Sequence, residues 1–325
     1  GARASSKPIY HHFVKISKKL TPSYISIITP TRWFAGGKGL DDFRDEMLLD
    51  KHIQKIYDFL DPSILFPNTN IRGGVCYFLW NSKYDNSINL VNVITHDSKN
   101  IISNINRPMK FDGIDIFVRD GRAISILNKL KDANSNYIEE YVSTRKPFGL
   151  DGFFVTDSNF KNEDIGMINP LKCIGKGKKI GYVERNFIFI NLIWIDKYKV
   201  FIPRANNIGT ELNDDNLNAF VGKPNVICTE SYLAIGAKLN MNEEQAINLV
   251  KYLKTKFVRF LHSLAKASQD ATSKTFKFVP LQNLNNPSDI NWNDSIENID
   301  KQLYSKYNLT KEEIEYINAT IKPMN

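Results

Sequence analysis

The sequence predicts an α/β protein in two domains, on three observations. Helix-patterned stretches alternate with short β-rich runs in the amino-terminal third. The run "GGVCYFLW" at 73–80 is apolar on both faces, which suits an interior strand of a largely parallel sheet. A chain of 325 residues also exceeds the size at which one core usually stops growing.

In chain order, "PIYHHFVKISKKL" at 8–20 places Ile9, Phe13, Ile16 and Leu20 at helical spacing, with Pro8 suited to a first turn. "YISIITP" at 24–30 is a strand that stops at proline. The segment 40–49 groups Leu40, Phe43, Met47 and Leu48 against Asp41, Asp42, Asp45 and Glu46, an amphipathic helix. "HIQKIYDF" at 52–59, "GGVCYFLW" and "INLVNVIT" at 88–95 are further strands. The polar, turn-prone "SKNIISNINRPMKFDG" places a domain boundary between 97 and 118, so the first domain is read as 1–105. A helix near 120–133 and short strands in "GYVERNFIFI", "KYKVFIP" and "NVICTE" make 106–283 a mixed α+β domain. Its clearest helix is 242–266, with a cap from Asn242 and Gln245 and a stripe of Ala246, Leu249, Leu253, Phe257, Phe260 and Leu264. After it, "FVPLQN" at 278–283 closes the domain as an aromatic, apolar knot, with Phe276, Phe278, Val279 and Leu281 fixing the helix. Residues 284–325 form a helical extension with a capping box at Thr310 and Glu313.

The chain carries 43 basic and 35 acidic residues, and the net charge of +8 favours an anionic partner without identifying it. Cys76, Cys173 and Cys228 are far apart and in no CxxC pair, which fits a reducing cytosol and offers neither a disulfide scaffold nor a zinc site. The five histidines lack metal-site spacing, so no metal is expected. The longest apolar run, "FIFINLIWI" at 187–195, is about half of a bilayer span, and the expectation is a soluble, cytoplasmic protein without membrane contact.

Candidate chemistry is sparse. The glycines of "FAGGKGLDD" have neither P-loop nor dinucleotide spacing, and the acidic helix start after them would repel a phosphate. "CIGKGKKIGYVERN" sets Lys176, Lys178 and Lys179 on a glycine-rich loop, able to follow a phosphate backbone or to serve as a solvated turn. "FIPRANNIG" offers Arg204, Asn206 and Asn207, types suited to guanine and adenine edges, or a polar turn. Lys256, Arg259 and Lys266 of the long helix either face DNA or keep a half-buried helix soluble. No G-x-S-x-G elbow occurs, and the acidic residues show no spacing that requires catalysis.

Successive blocks carry a resemblance. "PSYISIITPTRWFAGGKGLDDFRDEML", "LFPNTNIRGGVCYFLW", "KYKVFIPRANNIG", "VICTESYL", "KYLKTKFVRFLHSLAKASQDA" and "FKFVPLQN" resemble the N6-adenine DNA methyltransferases of bacterial restriction–modification systems. "LYSKYNLTKEEIEYINATIKPM" is similar to their carboxyl-terminal tail. The resemblance implies a partial Rossmann-like methyltransferase sheet, then a target-recognition domain, then a helical tail. It implies S-adenosylmethionine as methyl donor in the complete enzyme, double-stranded DNA as partner and an adenine flipped from the duplex. Some members carry a restriction nuclease on the same polypeptide. Phe66 in "ILFPNT" matches the family aromatic that stacks on the extruded adenine, its alternative being a core phenylalanine.

The family's glycine-rich cofactor motif and its Asn/Asp-Pro-Pro-Tyr/Phe motif occur nowhere in the sequence, so no cofactor is expected to bind this chain alone. An upstream methyltransferase segment or a restriction subunit is the implied companion. The alternatives are a DNA-binding specificity protein without catalysis and a structural adaptor on a retired methyltransferase scaffold.

Overall fold

The computed structural model describes residues 8–37, 39–69, 71, 73–97, 99–133, 136–208, 214–266 and 269–324. Lys38 of the glycine loop and Gly209 of "FIPRANNIG" lie outside them. The chain forms two compact units, residues 1–124 with 267–269 and residues 125–266 with 270–325. No helix among the described residues is long and apolar enough to cross a membrane.

In the first unit, α1 (Tyr10–Lys19) leads into β1 (Tyr24–Pro30), then α2 (Asp41–Leu49), β2 (Ile53–Phe59), β3 (Val75–Asn81), the single turn α3 (Asn86–Asn89), β4 (Val91–Asp97) and β5 (Asn100–Arg107). The strands form one sheet in the order β1-β3-β2-β4-β5. Here the structure corrects the expectation of a largely parallel sheet. β3 pairs antiparallel with both β1 and β2, β4 pairs antiparallel with β5, and β2 with β4 is the parallel pair. The apolar character of "VCYFLW" reflects a central position, which buries a strand on both sides whatever the direction of its neighbours. The polar stretch expected to carry the boundary contributes β5, the far edge of the sheet. Its Asn100, Asn104 and Asn106 suit an edge strand that faces water.

The core of this unit lies between the sheet and its helices. Leu40, Phe43, Met47 and Leu48 bury the predicted face of α2 beside Trp33, Ile56, Phe78 and Trp80. α1 departs from its predicted stripe: Val14 is its buried residue, while Ile9, Phe13, Ile16 and Leu20 stand in the open.

The second unit contains α4 (Ala123–Asp132), whose first residues belong to the first unit, then β6 (Pro170–Ile174), β7 (Ile180–Glu184), the turn α5 (Leu192–Ile195), β8 (Lys199–Pro203), β9 (Phe220–Gly222), β10 (Val226–Cys228) and β11 (Tyr232–Ile235). Two three-stranded sheets result, ordered β10-β6-β7 and β11-β8-β9. Helices α6 (Glu243–Lys254), α7 (Lys256–Leu264), α8 (Ile296–Lys306) and α9 (Lys311–Thr320) follow. The single helix expected over 242–266 is thus two. Thr255 takes an extended backbone, φ −61° and ψ 150°, and its hydroxyl caps α7 by accepting the N–H of Val258 at 3.2 Å. The capping boxes at Asn242/Gln245 and Thr310/Glu313 are both present.

"FVPLQN" forms a crosslink. Backbone bonds tie it to 136–138, with Ile138 N–H donating to Val279 O at 2.8 Å and Leu281 N–H to Asn136 O at 2.6 Å. The Tyr252 hydroxyl of α6 donates to Pro280 O at 2.8 Å, and Gln282 Nε2 donates to Tyr307 Oη at 2.8 Å. Phe276, Phe278 and Val279 are buried, and Leu281 is half-buried. Buried polar groups need partners, so these bonds fix α6 and α8 against one another as firmly as the apolar contacts do.

Candidate nucleic-acid interface

Phe66 lies in the loop between β2 and β3. β1, β2 and β4 run in one direction, and the loop leaves the carboxyl end of β2. In open α/β sheets ligands gather at the carboxyl ends of strands. Asp61 opens the turn by accepting the Ser63 N–H at 2.9 Å, and its bonds to Ser63 hold its carboxyl below the usual range. Phe66 N–H donates to Pro62 O at 2.9 Å, and Thr69 N–H donates to Phe66 O at 3.1 Å. The ring is half-buried, neither sealed in the core nor free.

A buried ion pair organises the same end of the sheet. The Asp58 carboxylate is fully buried and receives Arg119 through Nε at 2.7 Å and Nη2 at 2.5 Å, while Arg119 Nη1 donates to Gly73 O at 2.8 Å. Gly74, at φ +93°, passes so close to Phe59 O that an added Cβ would meet it at 2.4 Å. Sequence reading missed both members of this pair, because they lie 61 residues apart.

In the glycine loop, Gly36 is closely approached. A Cβ at Gly36 would sit 1.8 Å from Arg44 Nη1, so the space is already filled by the guanidinium, which Asp41 holds at 2.8 Å through Nη2. An added Cβ at Gly37 or Gly39 would meet nothing within 4 Å.

In the second unit Lys176, Lys178 and Lys179 occupy the turn of the β6/β7 hairpin, between the paired Ile174 and Ile180. The turn is ordered by Gly175 N–H donating to Lys179 O at 2.8 Å, with Gly177 at φ 69° and Lys178 at φ 61°. Lys176 and Lys178 are exposed. Lys179 is tied back, its Nζ 3.0 Å from Val155 O and 5.4 Å from the Phe160 ring.

The other candidates are more enclosed. Arg204 donates through Nε to Glu230 O at 3.1 Å and pairs through Nη1 with Asp270 at 2.8 Å, keeping a quarter of its side chain exposed (26%). Asn206 is buried and accepts Lys266 Nζ on both its carbonyl and its Oδ1, at 2.9 and 2.6 Å. Asn207 is half-buried. Lys256 donates to Asn318 Oδ1 at 2.8 Å at the start of α7. Arg259, 2% exposed, donates to four backbone carbonyls, those of Lys254, Thr255, Asp215 and Lys322. Burial lowers the pKa of Arg259, and separately lowers that of Lys266 from 10.5 to about 7. His262, one turn further along α7, is fully buried against Phe276 and is driven well below the usual histidine range by burial.

The structure thus joins Asn206 to Lys266 and sets Lys176 and Lys178 at the surface. It also reassigns the cationic helix: α7 is buried on most of its circumference, and Arg259 and Lys266 hold its ends to neighbouring loops. The sequence could not separate these roles, because a lysine stem that covers apolar surface and one that reaches water have the same spacing.

Residues 1–66 match the model of the Eco57I restriction-modification methylase family, the matched segment ending at Phe66. An uncharacterized adenine-specific methylase of Mycoplasma pneumoniae is 34% identical over 80 residues, which is 24% of this chain and 19% of that protein. Among solved structures, the type IIG restriction endonuclease BpuSI matches with a TM-score of 0.36 and 14% identity, over 91% of this chain and 46% of its own. The type IIL restriction-modification enzyme MmeI, solved in complex with DNA, matches with a TM-score of 0.45 and 10% identity, over 96% and 50%. The chain therefore spans half or less of the proteins it matches. Its first 66 residues are similar to the Eco57I restriction-modification methylase family, in keeping with the resemblance to adenine methylases.

Proposed function

We propose that this chain is the DNA-reading portion, together with the end of the catalytic domain, of a site-specific adenine-N6 DNA methyltransferase of a restriction–modification system. The observation that carries the reading is the family match over residues 1–66, which extends into the loop after β2 as far as Phe66. In this reading the first unit, 1–124, is the closing part of a Rossmann-like methyltransferase sheet, and the second unit is the target-recognition domain. Phe66 stacks on a flipped adenine, recovering part of the base stacking lost on extrusion. Lys176 and Lys178 meet phosphates, and Arg204 reads a base edge by exchanging its Asp270 partner for a guanine. Asn207 and Lys256 adjoin that surface, whereas Asn206, Arg259 and Lys266 support it from within. In this reading S-adenosylmethionine is held by an upstream segment, on the same or a separate polypeptide, because the family's glycine-rich cofactor motif does not occur in this sequence.

Duplex binding measured across salt concentrations tests the proposal. The 325-residue chain should bind duplex DNA at low salt, and Lys176→Ala and Lys178→Ala should each lower the log–log salt slope by about 0.9. Arg204→Ala should reduce discrimination between target sequences instead of weakening all of them equally. A folded chain that binds no duplex at low ionic strength would sink the reading. Methyl transfer assayed with the upstream segment supplied separates it from a specificity protein without catalysis.

A further inference from the structure

The run "FIFINLIWI" enters none of the roles above, yet the structure makes it a built feature. It is the body of a loop whose two ends are clamped by an ion pair, Arg185 reaching Asp196 through Nη1 at 2.7 Å and also through Nη2. Ile188 and Ile195 point inward and are buried, at 2% and 0% exposure. Between them Phe189 and Ile193 stand 81% and 75% exposed. Asn191 turns the tip at φ 53° and donates Nδ2 to Pro147 O at 2.7 Å, so the projecting side chains are held in place by the fold.

The chemistry around the loop selects its partner. Phe187 stacks on Phe154 at 5.4 Å, and the next residue, Val155, receives Lys179 of the β6/β7 turn. The base of the loop is thus linked through Phe154 and Val155 to the β6/β7 turn, whose Lys176 and Lys178 are exposed. Protein-docking surfaces are depleted in lysine, whereas proteins that deform DNA combine cations for phosphates with apolar side chains that enter between base steps. The net charge of +8 is complementary to the same partner. We infer that loop 186–195 is a wedge: Phe189, flanked by Ile193, inserts between base pairs of duplex DNA while the lysine turn holds the neighbouring phosphates. This inference rests on the duplex-DNA reading above.

The test uses the full chain and a duplex carrying 2-aminopurine. Phe189→Ala should weaken binding about tenfold with an unchanged salt slope, because it removes stacking and no charge. In Phe189→Trp, indole emission should be quenched on adding duplex, and the 2-aminopurine signal should rise only with a variant that keeps an aromatic ring at 189. Unfolding midpoints equal to that of the parent verify that these exposed-site variants fold. If Phe189→Ala binds as tightly as the parent while Lys178→Ala is weakened, the wedge is overturned and DNA reading stands. If Phe189→Ala instead leaves DNA affinity intact and changes the sedimenting mass, the loop is a protein contact and the wedge is again overturned. Failure of the parent itself to bind duplex removes both readings.

Discussion

Along α1, Ile9, Phe13, Ile16 and Leu20 recur at helical spacing and stand 64, 61, 56 and 75% exposed. Along α6 and α7, Ala246, Leu249, Leu253, Phe257 and Phe260 recur at similar spacing, and none exceeds 1%. Periodicity alone describes both. The difference lies in what each helix packs against within this chain. α7 is enclosed by α8, α9 and the segment around Phe276, whereas α1 rests on the sheet through Val14 and holds to α2 through Tyr10 and His11 against Phe43 and Lys15 against Glu46 at 2.6 Å. An apolar stripe therefore reports that a helix has a face to bury, and says nothing of whether the covering surface is supplied by the same polypeptide.

The largest expected effect tests the buried side of this contrast. Phe257 stacks on Tyr307 at 5.2 Å and is fully buried, so Phe257→Ala should destabilise by about 3–5 kcal/mol in denaturant titration. A loss under about 1 kcal/mol would mean that α7 is not packed as described. Next comes the start of the same helix. Asp300 of α8 accepts the N–H groups of Lys256 and Phe257, each at 2.9 Å, while burial raises its pKa. Asp300→Ala leaves two buried donors without a partner and should cost roughly 2–3 kcal/mol. α1 has no equivalent, since Ile9 offers its first turn no side-chain acceptor.

Lys266 gives the contrast a pH dependence. Its folded-state pKa is depressed to about 7 from 10.5, first by burial, with Asp215 and Asp270 acting in the opposite sense. Between those values the unfolded chain binds the proton and the folded chain does not, so stability rises as pH increases from about 7 toward 10. Lys199, with its pKa lowered to about 8 by burial, contributes with the same sign. Lys266→Met should flatten the rise by roughly 1–2 kcal/mol between pH 7 and 9, read from unfolding midpoints in matched buffers. An unaltered pH profile in the variant would place the ammonium in water.

How much of this was legible in the sequence follows from the range of each interaction. Strands at 24–30, 53–59 and 75–81, the face of α2 and both predicted capping boxes depend on residues a few positions apart, and they were found. The break at Thr255 was hidden, because the apolar pattern continues through it while the backbone does not. Strand direction was hidden for a similar reason: a central strand is apolar on both faces in either orientation. At the candidate site the types of residue were visible and their fates were not. Arg204, Asn206, Arg259 and Lys266 read as a cationic reading surface, yet three of them bond inward to partners such as Lys322 O and Asn206 Oδ1, 60 or more residues away. The segment 187–195 was read for membrane length and, over its first residues, as strand, whereas the strand ends at Glu184, so its alternation of inward Ile188 and Ile195 with outward Phe189 and Ile193 went unused.

The smallest expected effect tests the exposed side. Surface substitutions away from caps and cores change stability by about 0.5 kcal/mol or less, so Phe13→Ser and Ile16→Ser should leave the unfolding midpoint of the isolated chain almost unchanged. The same changes shrink an apolar surface that water tolerates poorly, and should lower self-association in sedimentation at high protein concentration. Lys15→Ala should be equally mild, since both members of its ion pair are more than a third exposed, at 38% and 51%, and what effect it has should fade in high salt. Under the proposed function, the comparison becomes sharper if an upstream methyltransferase segment is then supplied as a separate polypeptide. A stripe that this segment covers would make Phe13→Ser costly in the complex while it stays neutral in the chain alone, and α1 would then have the same energetic character as α7, with the covering surface on another molecule.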